Sequence, residues 1–216
     1  MSNLPATLAA LASDALGAFG VPGGAVATRA LESVLRKRAE RARDILLDEL
    51  RHGERTLASG EVEEVVAVLY RYARAAHEGA ARLNLRLMAK VIADQAEAGA
   101  VRADTFLSYA DILAGLRREE IVVLGCLVRH WASCGAAAEG EEGRRASEAQ
   151  KRARDELVPS RLADGEEFEA TLAAAMRTGL LSAAAAWAGL VYRPTRLLLR
   201  LAAIAPFEAA AAREPA

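Results

Sequence analysis

Three side chains that bind soft metal ions recur at helical spacing in the middle of the chain. Cys126, His130 and Cys134 lie four residues apart in turn, so they share one face if the segment is a helix. Thiolate and imidazole groups are typical ligands of zinc and related metals. The segment supplies no fourth ligand and no nearby carboxylate, and a single helix rarely encloses zinc. We therefore interpret the three residues as part of a packed helix, and we predict no metal and no cofactor.

The spacing of the two cysteines also argues against a disulfide bond between them. Eight residues of helix rise about 12 Å, which exceeds the reach of a disulfide. Free, buried thiols are typical of a reducing compartment. The N-terminal residues 1–5 lack the basic region that begins a signal peptide. We expect a cytoplasmic protein.

A search for catalytic motifs finds none that we can assign. The sequence contains no phosphate-binding glycine loop of the Walker type and no glycine fingerprint after a predicted strand. The acidic pairs at 119–120 and 166–167 stand at predicted helix starts, where the helix dipole favours negative charge. No nucleophile lies beside an evident base. The prediction is a protein that is not an enzyme.

The composition favours helices over strands. Of 216 residues, 53% are hydrophobic but only 5% are aromatic, so alanine and leucine supply most of the apolar content. Alanine loses no side-chain entropy in a helix and allows helices to pack closely. The formal net charge of −1 gives no whole-chain support to a dedicated nucleic-acid binder, which usually carries a positive excess.

Apolar residues recur at intervals of three and four along most of the chain, and breakers separate the runs. The pattern predicts helices over residues 4–19, 25–51, 61–98, 103–115, 118–133, 164–178 and 196–205. Gly79 is expected to divide or bend the run over 61–98. Two short apolar segments, 180–184 and 189–193, are predicted to form a β-hairpin whose second strand ends at Pro194.

These elements predict a mainly α fold, in which a multi-helix body is followed by a C-terminal winged-helix-like unit with one short β-hairpin. The body covers residues 1–100 and begins with an amphipathic helix, and the winged-helix-like region covers 101–206. Residues 136–160 are strongly charged and poor in large apolar side chains, which indicates a solvent-facing helix or a mobile insertion. Residues 207–216 are predicted to be a frayed tail.

One helix of the body carries a basic cluster that could contact an anion or a lipid surface. Its members are Arg36, Lys37, Arg38, Arg41 and Arg43. With the apolar segment 4–28, the cluster would suit a peripheral membrane contact. A solvated helix face that pairs with neighbouring acidic residues explains it equally simply, and we favour that interpretation. The apolar run over 172–192 is interrupted by Arg177 and Gly179, which argues against a membrane-spanning helix.

A winged helix often binds DNA, and four arginines could supply phosphate contacts. They are Arg177, Arg193, Arg196 and Arg200. The helix that would enter the groove, 164–178, carries four acidic residues against one arginine, and these acidic residues would repel phosphates. Protein interaction is therefore favoured over DNA binding.

A wider apolar and acidic pattern completes the sequence argument. It consists of Leu85, Arg86, Leu87, Met88 and Ala89, then Phe106, Tyr109, Ile112, Leu113 and Leu116, then Glu119, Glu120, Val123 and Leu124. Over about residues 65–204 this resembles bacterial helical proteins of the abortive-infection alpha type. The resemblance implies a helical body that leads into a winged-helix-like end, and a phage-defence or prophage setting.

The hypothesis from the sequence is a non-enzymatic helical protein that acts through protein–protein contacts. Self-association through an apolar helix face is expected, and no small-molecule substrate is evident. Two alternatives stay open at this point, a winged-helix DNA-binding regulator and a membrane-associating effector.

Overall fold

The computed structural model describes residues 27–50, 62–99, 101–135, 141–186 and 189–214. These residues form nine helices and one two-stranded antiparallel sheet near the C-terminus. The mainly α fold with a single short hairpin is thus confirmed. The predicted amphipathic helix at 4–19 lies outside the described residues. The chain divides into two compact units, residues 1–115 and 116–216.

The first unit contains four helices whose bounds follow the sequence pattern closely. They are α1 (Ala27–Leu50), α2 (Val62–Glu78), α3 (Arg82–Ala98) and α4 (Ala103–Ala114). Gly79 separates α2 from α3, as predicted. Its φ of +96° lies in the left-handed region that favours glycine, so the chain turns there without steric strain.

Helix α3 is the most deeply buried element of the first unit. Helices α1, α2 and α4 all pack against it, and Leu87 and Met88 have no exposed surface. The α1–α2 contact is fixed by a buried hydrogen bond of 2.9 Å, in which the Tyr72 hydroxyl donates to the Ala42 carbonyl oxygen. The apolar stripes predicted from the three-and-four spacing therefore face one shared core.

The second unit contains five helices and the hairpin. They are α5 (Arg118–Ser133), α6 (Glu142–Leu157), α7 (Gly165–Ala175), β1 (Leu181–Ala186), β2 (Gly189–Pro194), α8 (Arg196–Ile204) and α9 (Phe207–Arg213). Helix α5 is central, because α6, α7, α8 and α9 each contact it. A turn of 3-10 helix, Met176–Thr178, extends α7 to Gly179.

The hairpin follows α7 directly and leads into α8. Its register pairs Leu181 with Pro194 at the open end and Ala186 with Gly189 at the turn. The Thr195 side chain accepts a hydrogen bond from the Leu198 backbone N–H, so it caps α8 as the sequence predicts. The apolar run 172–192 is therefore not one helix, because it contains the end of α7, all of β1 and most of β2. Among the residues that the structure describes, every helix is too short or too polar to cross a bilayer.

The boundary between the units differs from the sequence interpretation. It falls after Gly115 rather than after residue 100, because α4 packs on α2 and α3 within the first unit. Phe106 and Leu113 are fully buried there. Helix α4 therefore belongs with the helical body, and the C-terminal unit begins with α5.

The charged segment is a helix, which is one of the two alternatives that the sequence left open. It is more buried than a solvent-facing helix, because α6 packs on α5 and the hairpin and buries Ala146, Ala149 and Ala153 completely. The prediction of a frayed tail over 207–216 is wrong for residues 207–213. Helix α9 packs on α5, and Phe207 is 2% exposed.

Candidate functional site

A group of metal-ligating side chains lies where α5 and α6 pack together. Helix α5 places Cys126 and His130 one turn apart, and α6 brings Glu156 beside them. One ligand atom from each of the three lies within 4.8 Å of the other two. The closest pair is His130 Nε2 and Glu156 Oε2, at 2.9 Å. We call these three residues the Cys–His–Glu cluster.

Small side chains on α6 allow it to approach α5 closely enough to form this cluster. Ala146, Ala149 and Ala153 are fully buried. Near the start of α6, the Arg145 guanidinium lies 4.0 Å from the centre of the Trp131 ring and donates to the Trp131 carbonyl oxygen at 2.6 Å. Contacts at both ends of α6 therefore hold Glu156 in place against α5.

A guanidinium group links the cluster to the C-terminal helix. Arg129 Nε donates to both carboxylate oxygens of Glu208 on α9, at 3.1 and 3.0 Å. One of its terminal nitrogens contacts Glu156 Oε1 at 2.5 Å and Cys126 Sγ at 3.5 Å. Arg129 thus orients one carboxylate oxygen of Glu156 and leaves the other facing His130.

The pKa of the Cys126 thiol is raised above its ordinary value, whereas that of the Glu156 carboxylate is lowered. Burial, with the charge of Glu156, raises the pKa of Cys126 to about 12, so the group is a neutral thiol near pH 7. The hydrogen bond with His130 and those from Arg129 lower the pKa of Glu156. A neutral thiol that is 1% exposed makes a poor nucleophile, and it must lose its proton before it can bind a metal.

The cluster differs from the line of residues that the sequence suggests. Cys134 is not part of it, because Cys134 caps the C-terminal end of α5, with its N–H directed to the His130 carbonyl oxygen. Glu156 replaces it. Sequence reasoning missed Glu156 because it follows His130 by 26 residues on a segment interpreted as an insertion. Only the packing of α6 on α5 brings the two together.

Two of the arginines predicted to contact DNA have carboxylate partners within the second unit. Arg177 bonds both carboxylate oxygens of Glu120, one of them at 2.9 Å. Glu120 has no exposed surface, and its second partner is the backbone N–H of Arg117 at 2.7 Å. Burial raises the pKa of Glu120, but the hydrogen bonds from Arg177 and Arg117 outweigh it and hold the pKa below its ordinary value.

Of the remaining three arginines, Arg196 and Arg200 lie on α8, where their side chains are exposed and one turn apart. Arg193 on β2 donates to the Ser182 hydroxyl at 3.0 Å and forms an ion pair with Glu142 on α6. Arg193 therefore ties the hairpin to α6. A DNA contact by the four arginines stays a prediction.

The basic cluster of α1 borders a groove that carries charges of both signs. Arg36, Lys37, Arg41 and Arg43 are exposed, whereas Arg38 is half-buried and donates to the His77 carbonyl oxygen at 2.8 Å. A groove of about 580 Å³ between α1 and α3 is lined by Lys37, Glu40, Arg41, Asp44, Ile45, Leu47, Asp48, Arg82 and Arg86. Three acidic residues in its lining offset most of the charge of the four cationic ones, which favours the solvated-face interpretation.

A stripe of exposed apolar side chains runs along the outside of α2. Val62, Val66 and Tyr70 follow one another at intervals of four and are 44%, 47% and 53% exposed. We call these three residues the α2 stripe. The neighbouring Val65, Val68 and Tyr72 form the buried row of the same helix, in keeping with the three-and-four spacing of the run over 61–98. The exposed row beside them was not predicted from the sequence. Its only sequence signal was an apolar residue at every fourth position beside the core stripe.

Comparison of the chain with protein-family models, with curated proteins and with solved structures finds no match.

Proposed function

We propose that this protein is a non-enzymatic helical protein that works through protein–protein contacts, and that its partner is a second copy of the same chain bound at the α2 stripe. The observation that carries the proposal is the exposure of three large apolar side chains in one continuous row. Single exposed apolar residues are ordinary, but a contiguous row is typical of an interaction surface.

Burial of the stripe supplies the driving force for association. Each Val or Tyr side chain that leaves water contributes in proportion to the apolar area removed, at roughly 25 cal/mol per Å². A row at intervals of four is the pattern by which one helix packs along another. A partner helix laid against α2 would therefore cover Val62, Val66 and Tyr70 together.

The charges beside the stripe favour an antiparallel copy of α2 as the occupant. Glu63 and Arg74 both lie on the same flank, about 60° and about 80° round the helix from Val66 at 3.6 residues per turn. Arg74 Nε also binds Glu78 of the same helix at 2.8 Å, in an exposed pair, and a guanidinium with five N–H donors can bind a second carboxylate. A twofold axis that passes midway between Val66 and Tyr70 reverses the helix direction and preserves the flank. It therefore sets Glu63 of one copy beside Arg74 of the other, twice in each dimer.

Light scattering coupled to size-exclusion chromatography tests the proposal. The full chain should show a mass that rises toward a dimer with concentration, because a single-helix interface is small and weak. Tyr70→Glu should keep the chain a monomer, since it buries a charge at the interface. The matched control, Leu190→Glu, changes an equally exposed apolar residue on the hairpin, 59% exposed, and should behave as wild type.

A strict monomer at the highest concentration would overturn self-association through the α2 stripe. A dimer that Tyr70→Glu leaves intact would also overturn it, because another surface would then hold the two copies together. The two alternatives from the sequence are measured on the same samples. Fluorescence anisotropy with duplex DNA at low salt tests the DNA-binding regulator, and flotation with anionic liposomes tests the membrane effector.

Phage defence is the biological setting that we propose for this association. Its support is the resemblance to abortive-infection alpha-type proteins, whose apolar positions fall here mainly on α3, α4 and α5. Plating of a phage panel on bacteria with and without the gene tests it. Protection by the wild type but not by Tyr70→Glu is the expected result, and equal plating with and without the gene would contradict a defence role.

A further inference from the structure

The Cys–His–Glu cluster carries an inference that is separate from the proposed self-association. We infer that Cys126, His130 and Glu156 bind a transition-metal ion of the zinc type, with a water molecule in the fourth position. Sulfur, nitrogen and one carboxylate oxygen form a donor set that zinc accepts. Cys126 and His130 are one turn apart on α5, and α6 adds Glu156 as the third ligand.

The separations between the donor atoms fit a tetrahedral ion after side-chain rotation alone. Zinc–ligand bonds of about 2.0 to 2.3 Å place neighbouring tetrahedral ligands roughly 3.2 to 3.7 Å apart. His130 Nε2 and Glu156 Oε2 are 2.9 Å apart, and all three donors lie within 4.8 Å of one another. Their backbones lie on helices that are already packed together, so no refolding is needed to close the site.

The charge nearest to the cluster is the Arg129 guanidinium, which lies 3.5 Å from both Cys126 Sγ and His130 Nε2. Both oxygens of Glu208 bind Arg129 Nε on one side and offset this positive charge. On the other side Arg129 holds Glu156 Oε1 and leaves Oε2 available for a metal. A carboxylate ligand held in this way by an outer hydrogen bond is a common feature of metal sites.

Binding converts the Cys126 thiol into a thiolate. The sulfur–hydrogen bond breaks, the proton leaves to solvent, and the sulfur electron pair forms the bond to the metal. His130 Nε2, which donates to the Glu156 carboxylate, releases its hydrogen to solvent as well, and the neutral ring then carries its one hydrogen on Nδ1, so that the Nε2 lone pair binds the metal. With the thiolate formed, the negative charges of Cys126 and Glu156 match the two positive charges of the ion. The Arg129–Glu208 pair beside them is neutral in itself.

The open side of the cluster provides an entry path and a place for water. Cys126 is buried at the base, whereas the His130 and Glu156 side chains are 15% and 46% exposed. A metal that arrives from solvent meets the carboxylate and the imidazole first. Three protein ligands leave one tetrahedral position, which faces solvent.

Titration of the metal-free full chain with cobalt(II) tests the inference. One equivalent should produce the near-ultraviolet charge-transfer band of a cobalt–thiolate bond, and zinc should displace it. Cys126→Ser should abolish the band, and Glu156→Gln should weaken cobalt binding at least about tenfold. Because Glu156 is largely exposed, its variant should fold even if Cys126→Ser does not, and circular dichroism checks both.

Two matched controls separate this cluster from adventitious binding. Cys134→Ser removes the other thiol of α5, and Glu148→Gln removes an exposed carboxylate on α6. Both should bind cobalt as the wild type does. A wild type without the thiolate band, a band lost in Cys134→Ser, or wild-type affinity in Glu156→Gln would each overturn the inference. The oligomeric state decides none of these outcomes, so the metal site and the self-association fail independently.

Discussion

At the scale of single residues, the Glu120–Arg177 pair tests how the second unit is held together. Arg177→Ala removes the nearer of two charge partners of a fully buried carboxylate, and we expect a loss of about 2 kcal/mol in the free energy of unfolding. Arg117, at 3.6 Å from Glu120, remains, and Arg177 is itself 48% exposed, so the loss falls at the low end for buried ion pairs. Urea unfolding measures it.

The control for that change is Arg152→Ala. Arg152 pairs with Glu148 one turn away on α6, and both side chains are about half exposed. Exposed pairs of this kind contribute about 0.5 kcal/mol or less. Equal losses from the two variants would show that Glu120 does not depend on Arg177.

The lowered pKa of Glu120 predicts how the free energy of unfolding varies with pH. Its pKa lies below the ordinary value of 4.5, so its contribution is present above about pH 4.5 and is lost as the pH falls through the lower, folded value. Glu120→Gln removes the charge, and it should be less stable than wild type at pH 7. The difference between the two should shrink as the pH falls below 4.5.

Urea unfolding of the wild type and Glu120→Gln at pH 7 and at several lower values gives the comparison. A difference that stays constant across that range would mean that the carboxylate does not titrate with folding.

Residue types and spacing identify some residues of the candidate sites, but they do not show which residues come together in the fold. The helical spacing of Cys126, His130 and Cys134 raised the question of a metal, but without a fourth ligand or a nearby carboxylate the sequence predicted none. Glu156 and Arg129 could not be assigned to the cluster, because their positions depend on how α6 and α9 dock on α5. In the same way, the sequence does not show that Arg177 pairs with a carboxylate, because only the packing of α7 on α5 brings Glu120 to it.

At the scale of elements, Gly125 controls how α9 docks on α5. A Cβ at this position would lie 2.9 Å from Glu208 Cγ, 3.1 Å from Phe207 Cβ and 3.2 Å from the Glu208 backbone nitrogen. Gly125→Val should therefore push α9 away, at a cost of about 2 kcal/mol from overpacking. Thermal unfolding measures the loss, and limited proteolysis should cleave the C-terminal helix sooner.

The matched control is Ala132→Val, which adds a β-branched side chain to the exposed part of the same helix. It should change stability by less than about 1 kcal/mol, through helix propensity alone. If Gly125→Val were as stable as this control, the close contact of α9 with α5 would be contradicted.

Element boundaries were the most predictable part of the fold. Strong breakers and three-and-four spacing located α3, α4, α5 and the hairpin within a few residues, and Gly79 marked a true turn. The packing of α6 and α9 was not predictable in this way. The buried face of α6 consists mainly of alanine, which carries a weak hydrophobic signal, and α9 has only seven residues, too few to show a helical period.

At the scale of the whole molecule, the first unit satisfies its own core, with α3 covered by three helices, and still leaves the α2 stripe exposed to solvent. We propose that two copies associate there. The sequence predicts self-association without naming a surface, because burial of Val65 and exposure of Val66 are decided by the packing of α2 rather than by residue type.

The pairing of Glu63 with Arg74 across the twofold axis offers the most direct measurement. Glu63→Arg and Arg74→Glu each place like charges at both ends of a homodimer, so each chain alone should be mainly monomeric. A mixture of the two chains restores opposite charges at both ends, and sedimentation equilibrium should then find a dimer. If each variant alone sediments as the wild type does, or if the mixture stays as monomeric as its components, the antiparallel α2 interface is contradicted.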